Sequence, residues 1–424
     1  MPSKGGPKII QPEELGHYIR PGDHIVWSQG TAEPLTLTES FVQQRSAFTG
    51  STVFVGITHS TTLRPAHTDH LSFSSYCGLA QNRRLVDANV LNIIPAHCSQ
   101  LPAFFSHGVI ACDVVFLHLS GPGPDGKSSL GIGHDYLLAA AQSARVVIAE
   151  MNDQMPWTYG SSDLDGVRID AVVHSSRELL EVAPGTITDT ERRIAHYATE
   201  FIGDGAVLEM GIGGIPDAIL ASLGDRRDLG IHSGMIGDSV VGLIEAGAVT
   251  NALKSIDAGV TVAGVLLGSQ RLYDFARQNR GIQVRPANYT HNHNVLASID
   301  GFTAINSAIE VDLTGQVNAE CLAGRYVGAV GGQVDFVRGA LAAKNGRSMI
   351  ALPSTAKQGA TSRIVPTLGG AVTTLRTDAD VFVTEWGAAQ LKGQSLNERV
   401  RRMIAIAHPA HREALAQQAS HLRQ

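Results

Sequence analysis

Cysteine is scarce: Cys77, Cys98, Cys112 and Cys321 are the only four in 424 residues. They form no CxxC pair and no zinc-like spacing, which excludes a disulfide framework and a cysteine-based zinc module. Reduced thiols in a cytoplasmic protein are the expectation. Positive charge is also short, with 33 Lys and Arg against 39 Asp and Glu and a formal charge of −6. No Lys/Arg block is available to neutralise a run of phosphates, so nucleic acid is excluded as a main partner. No apolar stretch approaches the roughly 18 residues of a membrane span, and the opening MPSKGGPKIIQPEELG lacks the apolar core of a signal peptide. Neither a membrane location nor export by that route is expected.

The chain is long and 43% hydrophobic, enough to bury at least two cores at about 100–200 residues per domain. Short apolar, β-branched runs recur at His24–Ser28, Thr52–Gly56, Val90–Ile94, Asp113–Leu119, Arg145–Glu150, Asp257–Leu266, Ser348–Leu352 and Asp380–Thr384. Near-continuous hydrophobicity of this length marks strands buried on both faces. Between them lie helical stretches such as Tyr136–Ala144, Ile187–Ile202 and Asp238–Ala246. The alternation predicts an α/β protein with mainly parallel sheets. Leu137–Glu150 and Val337–Pro353 share a plan of Gly-rich loop, Ala-rich helix and apolar strand, which suggests two similar halves. The Pro- and Gly-containing stretch Val182–Asp189 is the best boundary between them, giving an N-terminal domain over 1–186 and a C-terminal domain over 187–424.

Several motifs invite chemical readings that their context opposes. Gly121–Ser128 satisfies the P-loop pattern after an apolar strand, but Pro122 and Pro124 lack N–H groups, and Gly131 and Gly133 weaken the helix that should follow. The same loop fits GxGxxG without opening a helix directly or placing an acidic residue about 20 positions on. The pairs His67/His70 and His291/His293 are no more than chance expects among 17 histidines, so no metal is expected. No GxSxG nucleophile elbow occurs. Three Gly-rich segments remain: Met210–Asp217, Leu229–Asp238 and Val330–Phe336. Glycine allows a ligand close to the backbone, where N–H groups can donate to an oxyanion or phosphate; tight strand-to-helix turns need the same residues.

Taken with Glu150–Gly160, Ala304–Asn318, Ala351–Lys357, Ser362–Pro366 and Val383–Gly387, these segments resemble the family I CoA-transferases, in the acetyl-CoA hydrolase/transferase branch that contains the 4-hydroxybutyrate CoA-transferases. The resemblance covers nearly the whole chain. It implies two similar open α/β domains with the active site between them, a homodimer, coenzyme A as substrate, and no further cofactor or metal. It also implies exchange of CoA between an acyl-CoA and a small carboxylate through a glutamate. That glutamate attacks the thioester to form an acyl-glutamyl anhydride, then carries CoA as a glutamyl thioester.

The resemblance breaks at that residue. The family's glutamate lies in a segment of the type LGIHTEM; the matching segment reads Leu229-Gly-Ile-His-Ser-Gly-Met235 and puts Gly234 in its place. By the same matching, the Gly332 N–H is expected to stabilise the oxyanion, Asn292 to lie near the thioester, and Gly331, Gly332, Gln333 and Lys357 to bind CoA. Glu33 in Gly30–Pro34 is a candidate for contact with the acyl end or for a general base, or else a helix-start carboxylate beside Pro34. Glu310 is expected in an ion pair with Arg325 or Arg338. CoA transfer from a short acyl-CoA to a carboxylate ranks first, acyl-CoA hydrolysis by water second, and a catalytically silent acyl-CoA-binding protein third.

Overall fold

The apolar runs form strands, as their composition requires. In a computed structural model that describes residues 6–124, 126–160, 164 and 166–419, each of the eight runs coincides with a strand. The central strand Val114–Leu119 is buried at every position, as a parallel strand covered on both faces must be. The helices also fall where periodicity placed them. Asp189–Thr199 starts at Thr188, whose side chain forms a reciprocal capping box with Glu191.

By compactness the chain divides into two units. The first comprises 1–182 and 262–290, the second 183–261 and 291–424. The break at Val182/Ala183 falls within the expected boundary stretch Val182–Asp189, and Val262–Thr290 groups by compactness with the first unit. Side-chain chemistry ties that segment to the first unit: Tyr273 donates its hydroxyl proton to Thr31 Oγ1 or to the Leu180 carbonyl, both at 2.9 Å.

The first unit holds a parallel eight-stranded sheet built from β1 (Lys8–Ile9), β2 (His24–Trp27), β3 (Ser51–Val55), β4 (Leu71–Ser75), β5 (Leu91–Ile93), β6 (Val114–Leu119), β7 (Val146–Asn152) and β8 (Ala171–Ser175). Their order is β1-β8-β7-β6-β2-β3-β4-β5. Its core includes Trp27, stacked on Phe116 and edge-on to Phe41. Burying each such ring stabilises the fold by about 1.5–3 kcal/mol.

A second sheet also counts eight strands, mainly parallel. Within the second unit the strands are β9 (Val207–Met210), β10 (Gly230–Ile236), β11 (Phe302–Asn306), β12 (Arg347–Ala351), β13 (Val381–Thr384) and β14 (Gly387–Gln390), in the order β10-β9-β11-β12-β13-β14. Only the last pairing, β13 with β14, is antiparallel. The order reverses between β9 and β11. At such a switch point the connections leave to opposite sides and open a crevice beyond the carboxyl ends of the strands. Val207, Phe302 and Ala304 of these strands pack with Leu296, Phe336 and Ala340 of the helical layer on one face.

The Gly121–Ser128 turn is no P-loop. Gly123 donates to the Lys127 carbonyl, which also accepts from the Trp157 indole. A Cβ at Gly123 would lie 2.2 Å from the Trp157 ring, and the next helix begins only at Leu137. Asp125 of this motif lies outside the described residues.

Candidate active site

Two glycines and one imidazole define the centre. The helix Gln333–Ala342 starts at Gly332, and Gly331 before it has a φ of +56°, a left-handed conformation that favours glycine. The helix N-terminus adds partial positive charge to the N–H groups of this turn. A Cβ on Gly332 would stand 2.6 Å from His291 Nε2 and 2.9 Å from Phe336 Cε2. Across the same ring, a Cβ on Gly234 of β10 would stand 2.8 Å from His291 Nε2 and 3.3 Å from Phe336 Cε2. The edge of one imidazole therefore lies against both backbones, and any side chain at either position displaces it.

His291 is 5% exposed and its ring lies 4.5 Å from the Phe336 ring, tilted by 42°. Burial pushes its pKa down to about 3, so the imidazole is neutral at physiological pH. The space over Gly234 is thus filled by a neutral ring.

The sheet register brings a carboxyl to the same face. Val207 of β9 pairs with Gly230 of β10 and with Phe302 of β11, and Glu209 pairs with Ala304. Alternation then puts Glu209, Gly234 and Asn306 on one side of the sheet. Glu209 is 4% exposed, and Asn306 Nδ2 donates to its Oε2 at 2.9 Å. Burial pushes the Glu209 pKa up to about 8, a rise only partly countered by hydrogen bonds from Asn306 and the Ile305 backbone. Its partner Asn306 lines a cavity of about 340 Å³ at the β9/β11 switch point, together with Gly211, Gly213, Ser307 and Arg363.

This grouping has the parts that thioester chemistry needs: backbone donors for a developing oxyanion, a neutral imidazole and a carboxyl. Sequence comparison identifies the family. The model of the acetyl-CoA hydrolase/transferase N-terminal domain matches residues 6–182, and that of the C-terminal domain matches residues 268–419. The chain belongs to the acetyl-CoA hydrolase/transferase family.

Among curated relatives in this family, the 4-hydroxybutyrate coenzyme A transferase of Clostridium kluyveri is 37% identical over 96% of both chains. The crystal structure of RipA from Yersinia pestis matches with a TM-score of 0.92 and 34% identity, over 98% of this chain and 97% of that one. A 4-hydroxybutyrate CoA-transferase from Porphyromonas gingivalis matches with a TM-score of 0.83 and 32% identity, over 98% of both. The resemblance read from the motifs is borne out, and with it the α/β fold of two mainly parallel sheets.

The remaining motif residues of this acetyl-CoA hydrolase/transferase family member take various places. Asn292 caps a helix: its Oδ1 accepts from Asn294 N at 2.9 Å and Val295 N at 3.3 Å at the start of His293–Ala297. The side chain that faces Gly234 and Gly332 belongs to its neighbour, His291. Gln333 is buried and donates to Thr374 Oγ1 at 3.0 Å. Lys357 is exposed, with a left-handed φ of +50°, on the turn joining the paired strands Thr355–Ala356 and Thr361–Ser362.

Glu33, in the first unit, accepts from His59 N at 2.7 Å, Ser60 N at 2.8 Å and Ser60 Oγ at 2.7 Å. It fixes a loop that lines a separate pocket of about 510 Å³ beside the Glu39–Arg177 ion pair. Glu310 accepts from Asn318 at 3.0 Å, while Arg338 pairs with Asp378 at 2.9 Å. Motif reading weighed His291 only as half of a histidine pair, held Asn306 only within the stretch Ala304–Asn318, and did not single out Glu209. The available signal for Glu209 was an isolated carboxylate in an apolar strand directly before a Gly-rich loop.

Among the described residues, no helix is long and apolar enough to cross a membrane.

Proposed function

We propose that this enzyme is an acyl-CoA:carboxylate CoA-transferase acting on a short acyl-CoA and a small carboxylate. The observation that carries the reading is the convergence of the Gly331–Gly332 turn, the neutral His291 ring and the buried Glu209 carboxyl in one unit of a chain similar end to end to CoA-transferases. Thioester attack places negative charge on the carbonyl oxygen, and a prearranged N–H at a helix start stabilises that charge without reorganising in the transition state. In this reading the Gly332 N–H faces the oxyanion, and the exposed Lys357 contacts a CoA phosphate as a point charge. Coenzyme A is substrate, with no further cofactor or metal, in a cytoplasmic homodimer.

A second reading, acyl-CoA hydrolysis, is favoured by one observation: position 234 bears no carboxylate to form an anhydride, which leaves water as a nucleophile toward a thioester held at the Gly332 turn. The deciding experiment incubates the purified protein with acetyl-, propionyl-, butyryl- and succinyl-CoA, with and without carboxylates, and follows thiol release and new CoA esters by mass spectrometry. New esters that appear only with a carboxylate support the transferase. Thiol release without exchange overturns it in favour of the hydrolase. Binding of CoA esters with neither signal identifies a silent binding protein.

A further inference from the structure

We propose that Glu209 is the nucleophile of this enzyme, its carboxylate having moved by one strand from the place where Gly234 now stands. The inference rests on the transferase reading, since CoA exchange by this route needs a carboxylate that can hold both the acyl group and CoA.

Three observations converge on it. First, the register of β9 with β10 and β11 puts Glu209 on the sheet face of Gly234, on the adjacent strand. His291, which touches Gly234 and Gly332, and Phe336, which packs with Val207 and Phe302, cover this same face. Second, Glu209 stands one residue before the carboxyl end of β9, where the strand order reverses. Its hydrogen-bond partner Asn306 lies across the switch point and lines the cavity there. Third, Glu209 keeps acceptor capacity: it receives the Asn306 amide and a bond from the Ile305 backbone, whereas Asp312 of its unit is filled by four donors. Asp312 accepts from the backbone and side chains of both Thr314 and Gln316, which closes a turn. Two donors on Glu209 leave lone pairs for attack.

The chemistry balances. A Glu209 oxygen attacks the thioester carbon, the C–S bond breaks, and CoA leaves as thiolate from an acyl-glutamyl anhydride. The thiolate then attacks the glutamyl carbonyl and breaks its C–O bond to the acyl group. The donor carboxylate departs, and Glu209 carries CoA as a thioester. An acceptor carboxylate reverses these two steps, which yields a new acyl-CoA and restores Glu209. No oxidant, reductant or net proton is consumed.

The substitution at 234 fits the same picture. Restoring a glutamate there drives its Cβ into His291, so the imidazole and a carboxylate at 234 are alternatives, whereas a carboxylate at 209 coexists with the ring.

The test treats wild type, Glu209→Gln and Glu209→Asp with acyl-CoA, then with borohydride, which reduces a glutamyl-CoA thioester to an alcohol. Peptide mass spectrometry locates the product, and exchange rates are measured alongside CoA binding and melting temperature. The expected result is a reduced side chain at 209 in wild type only after acyl-CoA. Glu209→Gln should lose exchange by at least about 10³-fold while binding CoA and melting like wild type, and Glu209→Asp should keep partial activity. A reduced residue elsewhere, or Glu209→Gln exchanging within about tenfold of wild type, overturns the assignment and leaves the transferase reading standing. Wild type that exchanges CoA with no carboxylate overturns both.

Discussion

Each unit buries a glutamate near the carboxyl end of a strand, and the two are treated differently. Glu33 follows β2 and receives two backbone N–H groups and one hydroxyl. Glu209, one residue before the end of β9, receives one side-chain amide and one bond from the Ile305 backbone. Burial raises both, Glu33 to about 7 and Glu209 to about 8. The difference lies in the lone pairs. A carboxyl with three donors is committed to holding a loop, whereas one with two keeps capacity for a substrate. A raised pKa alone therefore does not identify a catalytic group.

The sharpest break of this comparison is the matched pair Glu209→Gln and Glu33→Gln. The first should abolish exchange with little change in melting temperature. The second should lower stability by about 1–3 kcal/mol, because an amide donor turned toward N–H groups leaves buried donors unpaired. Denaturant midpoints and exchange rates on both variants decide it; equal effects on both readouts would erase the distinction.

Next in size is Gly332→Ala, whose Cβ would sit 2.6 Å from His291 Nε2. Displacing the ring and the turn should cost about 10²-fold in kcat, and adding His291→Ala should recover part of the loss of stability.

The pH dependence separates catalysis from stability. Exchange requires ionised Glu209, so its rate should climb about tenfold per pH unit below pH 8 and level off above it. Stability runs the other way. A carboxyl raised from 4.5 to about 8 contributes stability that is present in full below pH 4.5 and is lost as pH rises through 8. Chemical denaturation at pH 6 and pH 9 should show Glu209→Gln gaining on wild type at the higher pH. The smallest effect is expected for Asn292→Ala: loss of a helix cap, about 1 kcal/mol, with kcat unchanged within about twofold.

The fold was largely legible in the sequence because buried parallel strands announce themselves as unbroken apolar runs; Val114–Leu119 and Val381–Thr384 needed nothing more. The strands that carry the site were not. In β10, His232, Ser233 and Gly234 interrupt the apolar pattern, and in β9 a glutamate does, so both read as parts of Gly-rich loops. Functional positions break local rules where the fold supplies compensation. Gly234 and Gly332 were both marked by the resemblance. His291 was not, because the segment His291-Asn-His293 offers three polar side chains. Only the helix start at Asn292 shows that the middle one caps and the first faces the glycines. Glu209 became visible only through strand register, which pairs residues distant in sequence.

The segment Val262–Thr290, drawn from the middle of the second half of the chain into the first unit, has a practical consequence for protein engineering. Splitting the gene near codon 183 deprives the first fragment of Tyr273 and the ties it makes to Thr31 and Leu180. Neither product would then be a natural folding unit, and the two should have to be co-expressed to yield soluble protein. A circular permutant that keeps 262–290 with the first unit would be the better route to an isolated half.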